Sequence, residues 1–158
     1  MPPTRIEVTR LITASPAVIF ELLCDPAGHV AIDSSGMLQS AEGARVRSAG
    51  DSFVVHMDRE SLNDRPLGKY DVTVTITRLE PGARIEWMIS GAGRPALGHV
   101  YGYELLLDTT GTRVTSYYDW SQVAAGPERD AAFPVVPELA LRATLGILAR
   151  TVEVASRA

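Results

Sequence analysis

Residues 134–157 read PVVPELALRATLGILARTVEVASR, and the placement of their apolar side chains decides the fold. At 100° per residue Glu138, Arg142, Arg150 and Glu153 gather on one side of a helical wheel, while the opposite side is apolar or small. That pattern predicts a long amphipathic helix. About 20 residues would make it roughly 30 Å long. The buried side has two bulky shoulders, Leu141, Leu145, Leu148 and Val152 on one and Val136, Ile147 and Val154 on the other. Ala140, Thr144 and Thr151 lie between them. A small, partly polar centre has two readings: the helix sits close against a sheet, or it roofs a ligand cavity. Gly146 falls on the polar side of the wheel at a cost of about 1 kcal/mol relative to Ala. Close approach of a second copy, making a homodimer, is one reading of it.

Upstream of this segment, from Met37 onward, the period changes to two for some eighty residues. Met37 to Val46 is a weak strand or pair of strands, Phe53, Val55 and Met57 mark a clearer one, and Asp58 to Leu67 is a polar loop. Tyr70, Val72, Val74 and Ile76 then face one way and Asp71, Thr73, Thr75 and Thr77 the other, as a sheet with one wet face requires. Pro81 and Gly82 suit the centre of a tight turn, and a two-residue connection sets Ile76 opposite Trp87 and Val74 opposite Ile89. Residues 91–98 form a loop. The next hairpin turns at Thr109 to Thr112, pairing Tyr101 with Trp120, Tyr103 with Tyr118, Leu105 with Ser116 and Leu107 with Val114. A three-residue loop would instead put Leu107 beside Arg113, so the apolar pattern selects an even register. Ala124 to Asp130 reads as a linker into the closing helix.

At the front of the chain, Arg5 to Ile12 alternates with Ile6, Val8 and Ile12 on one side and reads as a strand. Ser15 is placed as an N-cap with Pro16 at the first helical position, and Ile19, Phe20 and Leu23 supply a short stripe ended by Asp25 and Pro26. A second short helix is expected over Gly28 to Ser34, with His29 and Asp33 four apart on one face. The layout is α+β: a strand, two short helices, about six more antiparallel strands and one long helix, in a single domain over residues 1–158. The curved sheet of about seven strands has one long helix to cover it, and a groove or cavity between them is where a ligand site belongs.

Composition narrows the function classes. A 158-residue chain with 46% hydrophobic and 22% charged residues suits one globular domain. Its net charge of -4, without a Lys/Arg block, argues against nucleic acid or an anionic membrane surface as partner. The lone Cys24 excludes an internal disulfide and fits a reducing cytoplasm. No leader-like start and no apolar stretch of about 20 residues stands out, so no membrane span is expected.

Ile6 to Pro26 (IEVTRLITASPAVIFELLCDP) followed by His29 to Leu38 (HVAIDSSGML) resembles the polyketide cyclase/dehydrase and lipid-transport proteins of the START-like, helix-grip superfamily. Leu79 to Trp87 (LEPGARIEW) and Tyr101 to Ser121 (YGYELLLDTTGTRVTSYYDWS) resemble its paired hairpins, so the likeness covers nearly the whole chain. The resemblance implies a cavity between sheet and closing helix for an apolar small molecule, with no metal and no nucleotide or other cofactor. Members include cyclases, hydrophobic-ligand carriers, hormone receptors and chaperone co-activators. Fold alone therefore assigns no catalytic residue.

The expected ligand-binding face carries Tyr70, Trp87, Tyr101, Tyr103, Tyr118 and Trp120, with Leu141, Thr144, Leu145 and Leu148 from the helix. Such aromatic side chains grip a ring and orient its polar atoms; the plainer reading is a core with its polar tips bonded to backbone. Tyr101 and Trp120, toward the open end of their hairpin, are the foremost ligand contacts in this register. His99 shares parity with Tyr101 and suits proton transfer near neutral pH, or is simply solvated at the mouth. His29 with Asp33 is either an acid–base pair or a surface contact. His56 lies off the inward parity and reads as surface. A three-histidine metal site has no spacing motif behind it, Cys24 lacks a base partner, and Gly91, Gly93 and Gly98 do not make a phosphate-binding fingerprint. Three functions follow: binding of a hydrophobic small molecule, cyclisation, aromatisation or dehydration in the same cavity, and a protein-interaction role.

Overall fold

The computed structural model of the chain describes residues 2–64, 66–91 and 96–157; Gly93 and the side chain of Val154 lie outside that description. Seven strands, β1 (Arg5–Ile12), β2 (Leu38–Glu42), β3 (Ser52–Asp58), β4 (Lys69–Glu80), β5 (Arg84–Gly91), β6 (Val100–Asp108) and β7 (Gly111–Asp119), form one curved antiparallel sheet. Their order is β1-β7-β6-β5-β4-β3-β2. The helices are α1 (Pro16–Cys24), α2 (Pro26–Ala31), α3 (Pro127–Ala132) and α4 (Glu138–Arg157).

Local chemistry sets the helix boundaries. Ser15 accepts a bond from the Val18 amide at 3.3 Å and Pro16 opens α1. Asp25 ends that helix and at once caps the next by accepting from the Ala27 amide at 3.0 Å, with Pro26 in its first turn. The second helix therefore begins two residues before the expected Gly28 and stops at Ala31 rather than Ser34. Asp33 leaves it because its carboxylate accepts from the amides of Ser35, Gly36 and Leu38 at 3.0, 2.8 and 3.2 Å, a stronger local claim than a place on a helix face. α3 begins inside the stretch read as a linker and runs two residues past it; it follows Gly126 and has Pro127 at its start. The closing helix starts at Glu138, one residue after Pro137 and not at Pro134.

The two main hairpins show how turn chemistry sets register. Ile76 pairs with Trp87 and Val74 with Ile89, as expected, yet the turn is longer than two residues. Pro81 and Gly82 (φ 70°) centre a turn closed by Ala83 N to Glu80 O at 2.9 Å, Glu80 pairs with Arg84, and an irregularity between Ile76 and Arg78 restores the register. The β6–β7 hairpin is tighter than expected. Asp108 pairs with Gly111 and accepts from the Thr109 amide at 2.7 Å, so only Thr109 and Thr110 form the loop. Gly111 makes this possible, since a Cβ there would sit 2.1 Å from the Ile12 carbonyl of β1.

Pairing consequently shifts by two residues: Tyr101 lies opposite Tyr118, Tyr103 opposite Ser116, Leu105 opposite Val114 and Leu107 opposite Thr112. The expected partners Trp120, Tyr118, Ser116 and Val114 are each displaced by one pair, but an even shift leaves the inward face unchanged. Leu107 does not join the core; at the end of the hairpin it is exposed.

The last three turns of α4 press Leu145, Leu148, Ala149 and Val152 into a core with Ile12, Ile19, Leu23 and Val114. Glu153, from the polar side of the wheel, ties the helix to the end of β1 by accepting from the Thr13 amide at 3.0 Å. Gly146 faces Arg10 of β1, whose Nη1 would lie 3.6 Å from an added Cβ, an ordinary contact.

Candidate functional site

The first turns of α4 do not reach the sheet. Between Ala140, Leu141 and Thr144 above and the inward residues of β3 to β6 below lies a cavity of about 320 Å³, at the small end of the range for ligand sites. Val55, Val72, Val74 and Ile89 make its aliphatic floor, and Tyr70, Trp87, Tyr101 and Tyr103 its aromatic wall. His29 of α2 and His99, just before β6, also line it.

Aromatic contacts run along that wall. His29 meets Trp87 edge-on at 4.8 Å between centroids and Phe53 at 5.1 Å. Trp87 stacks with Tyr101 at 6.2 Å and with Tyr103 at 5.9 Å, and the edge of His99 meets Tyr101 at 5.8 Å. Tyr101 and Tyr118 are almost parallel, 4.2 Å apart at 1°. This stack exists because the two-residue hairpin loop sets those strands opposite each other at that pair.

Polar atoms are few, and most have partners. His99 Nδ1 and the Tyr118 hydroxyl are 2.7 Å apart, and burial lowers the His99 pKa, so the ring is neutral near pH 7. Burial, with the neighbouring Tyr118, pushes the Tyr101 phenol well above its ordinary range. Burial also takes Tyr103 up to about 12 despite its bond with Ser116. Neither phenol ionises at physiological pH. On the helix side Ser34 donates to the Ala140 carbonyl at 3.2 Å and shares a 2.8 Å bond with Thr144. At the rim the charge of Arg59 is held by Asp64 at 2.7 and 2.9 Å.

The expected site residues divide into two groups. Tyr70, Trp87, Tyr101, Tyr103, Leu141 and Thr144 line the cavity. Tyr118, Trp120, Leu145 and Leu148 are buried in the core and do not. Trp120 packs against Tyr118 at 5.3 Å and Phe133 at 6.4 Å, so its expected role as a foremost ligand contact is replaced by a structural one. The register shift explains the change: Tyr101 has Tyr118 opposite it, leaving Trp120 beyond the end of the pair.

His29 and Asp33 do not form a pair. His29 is buried and its Nε2 lies 2.8 Å from the Leu23 carbonyl, while Asp33 holds the following turn. His99, just before β6, is half-buried, and its Nδ1 meets the Tyr118 hydroxyl rather than solvent. His56 is on the outer face, bonded to Asp71 at 2.7 Å, an interaction that raises its pKa. Burial, reinforced by Glu21, raises the Cys24 thiol to about 11, which leaves it a poor nucleophile. Among the described residues no group of three or more His, Cys, Asp and Glu is arranged to hold a metal ion, and no helix is long and apolar enough to cross a membrane.

Sequence reading missed Ile32, Ser34 and Met37, which line the cavity from the segment between α2 and β2. Their signal was the Asp33-Ser34-Ser35-Gly36 cluster, a turn motif that places Ser34 under Thr144. It also missed the outward Tyr117, a core residue by burial, which lies beneath Arg5 at 4.3 Å and donates to Glu86 at 2.8 Å.

A family profile described as polyketide cyclase/dehydrase and lipid transport matches residues 3–153. Solved structures share the fold. A protein of Nitrosomonas europaea, NE0264, superposes with a TM-score of 0.69 at 15% identity, covering 98% of this chain and 97% of its own. CV1439 of Chromobacterium violaceum gives 0.67 at 16%, covering 96% and 99%. An AHSA1-like protein of Aeromonas hydrophila gives 0.62 at 20%, covering 96% and 94%. No curated protein matches the sequence.

Proposed function

The chain belongs to the polyketide cyclase/dehydrase and lipid-transport family, and from that premise we propose that it binds a hydrophobic small molecule, cyclic or acyl, between the sheet and the start of α4. The observation that carries this reading is the cavity itself. An amphipathic helix long enough to seal the sheet presents Ala140 and Thr144 where bulky residues would fill the space. Apolar surface moved from water into such a site contributes about 25 cal/mol per Å², so a ligand gains affinity from its hydrocarbon area and orientation from the few polar groups. A filled core with an apolar patch outside would instead favour a protein-interaction role. The proposal puts the protein in the cytoplasm, supported by its single, buried, unpaired cysteine.

Native mass spectrometry of freshly purified protein tests the binding reading. The expected result is a population heavier than the polypeptide by one small molecule that is released on denaturation. A bare polypeptide that also takes up no added hydrophobic probe would overturn it.

One observation favours a second reading, in which the cavity also turns its ligand over. His99 and Tyr118 are joined at 2.7 Å beside Tyr101, an arrangement able to move a proton. Incubating the recovered ligand with the protein and finding it cyclised or dehydrated supports that reading; recovering it unchanged removes it.

A further inference from the structure

His29 carries an acceptor for which the described residues provide no hydrogen-bond partner. Its Nε2 is 2.8 Å from the Leu23 carbonyl, and a carbonyl oxygen only accepts, so the proton of the ring must sit on Nε2. The residue is only 8% exposed, and burial lowers its pKa, which keeps the ring neutral. A neutral imidazole protonated at Nε2 has a lone pair at Nδ1. That atom makes no hydrogen bond to the described residues. Nor is it sealed away, since Arg129 Nε is the one buried side-chain nitrogen or oxygen without a hydrogen-bond partner among them. His29 is among the residues that line the cavity, which is where a partner for that lone pair is sought.

The surroundings fix what can meet that lone pair. Phe53 and Trp87 hold the ring edge-on, so it cannot turn to present Nε2 without breaking the bond to Leu23. An acceptor left unpaired in an apolar cavity is costly, and a ligand that supplies a donor recovers that cost. A carboxylate or a ketone brings only lone pairs to this point and is repelled. An alcohol, a phenol or an N–H is matched.

We infer that His29 sets the specificity of the cavity, its Nδ1 accepting a hydrogen bond from the hydroxyl of an otherwise apolar ligand, so that hydrophobic alcohols and phenols are the ligand class. The inference rests on the binding reading above. It differs from the expected acid–base role with Asp33 in that the backbone carbonyl of Leu23 orients the imidazole, and recognition rather than turnover is the result.

Two probes of equal shape test it: 2-naphthol, and 2-methylnaphthalene, in which a methyl replaces the hydroxyl. Wild-type protein is expected to bind 2-naphthol roughly 3- to 10-fold more tightly, the range of one net hydrogen bond. His29→Phe keeps the ring and removes the acceptor, and should bind the two equally. Should that variant not fold, nitrogen-15 NMR of wild-type His29 gives the same answer: the Nδ1 resonance moves with 2-naphthol and stays in place with 2-methylnaphthalene. Equal wild-type affinity for the two probes, or a preference that survives in His29→Phe, overturns the inference while leaving the cavity a binding site. Binding of neither probe overturns the binding reading and this inference together.

Discussion

The two ends of α4 do different work with the same amphipathic pattern. Toward the C-terminus Leu145, Leu148, Ala149 and Val152 are buried against β1, α1 and β7, and the seal is tight. Toward the N-terminus Ala140 and Thr144 take the central positions, Leu141 marks the boundary, and the space below stays open. The helix is thus anchored at one end and acts as a roof at the other. Stability and ligand capacity are therefore separable along about five turns of one element.

That separation can be broken in the order of expected effect. Leu145→Ala in the anchored half should cost about 2 to 5 kcal/mol, the range for a buried leucine that leaves a cavity behind. Denaturant midpoints would show it, and a midpoint equal to wild type would mean that the anchored half is not where the fold is held. Ala140→Leu in the roofing half should do the reverse. It places a bulky side chain in the open space, and 2-naphthol affinity should fall at least tenfold, about 1.4 kcal/mol, with a smaller change in midpoint. Titration calorimetry beside thermal melts would separate the two effects.

A third measurement uses pH. His29 and His99 have folded pKa values lowered by burial. In the window below about 6.5, the unfolded value, the unfolded chain binds protons that the folded chain refuses. Stability contributed by keeping them neutral is complete above that value and is lost as pH falls toward the folded values. Each group contributes a slope of no more than about 1.4 kcal/mol per pH unit. His56 runs the other way: its raised pKa gives a contribution present below about 6.5 that fades as pH rises through the folded value. Denaturant melts at pH 5 and pH 7 should show net destabilisation at the lower pH, and His29→Phe should flatten the profile. A profile unchanged by that substitution would show that His29 is not held neutral. The smallest effect belongs to Gly146→Ala, which should stabilise the helix by up to about 1 kcal/mol because an added Cβ meets Arg10 at an ordinary 3.6 Å. A lower midpoint would point to a neighbour that needs the glycine.

What was legible in the sequence followed from period and punctuation. The long helix, the α1 cap at Ser15 and the inward face of β4 came from spacing and from residues whose chemistry acts locally. So did the Ile76–Trp87 pairing, although the turn that produces it has a different length and needs an irregularity near Thr77 to correct it. Side-chain choice between neighbours of like parity was not legible. Nothing in the run Thr109-Thr110-Gly111-Thr112 says that Asp108 caps a two-residue loop until the Ile12 carbonyl is seen to approach Gly111. That one shift exchanges Trp120 for Tyr118 opposite Tyr101. His29 failed for a related reason. Its partner is a backbone carbonyl six residues earlier, invisible to a search for carboxylates at helical spacing.

The central claim, an apolar hollow beneath the roofing half of α4, is most directly tested by diffraction from crystals pressurised with xenon, a probe that enters dry apolar cavities without needing a polar partner. Ordered xenon between Trp87, Ile89 and Leu141 is the predicted result. Side chains such as Met37 and Met57 occupying that space, with no xenon between sheet and helix, would contradict it.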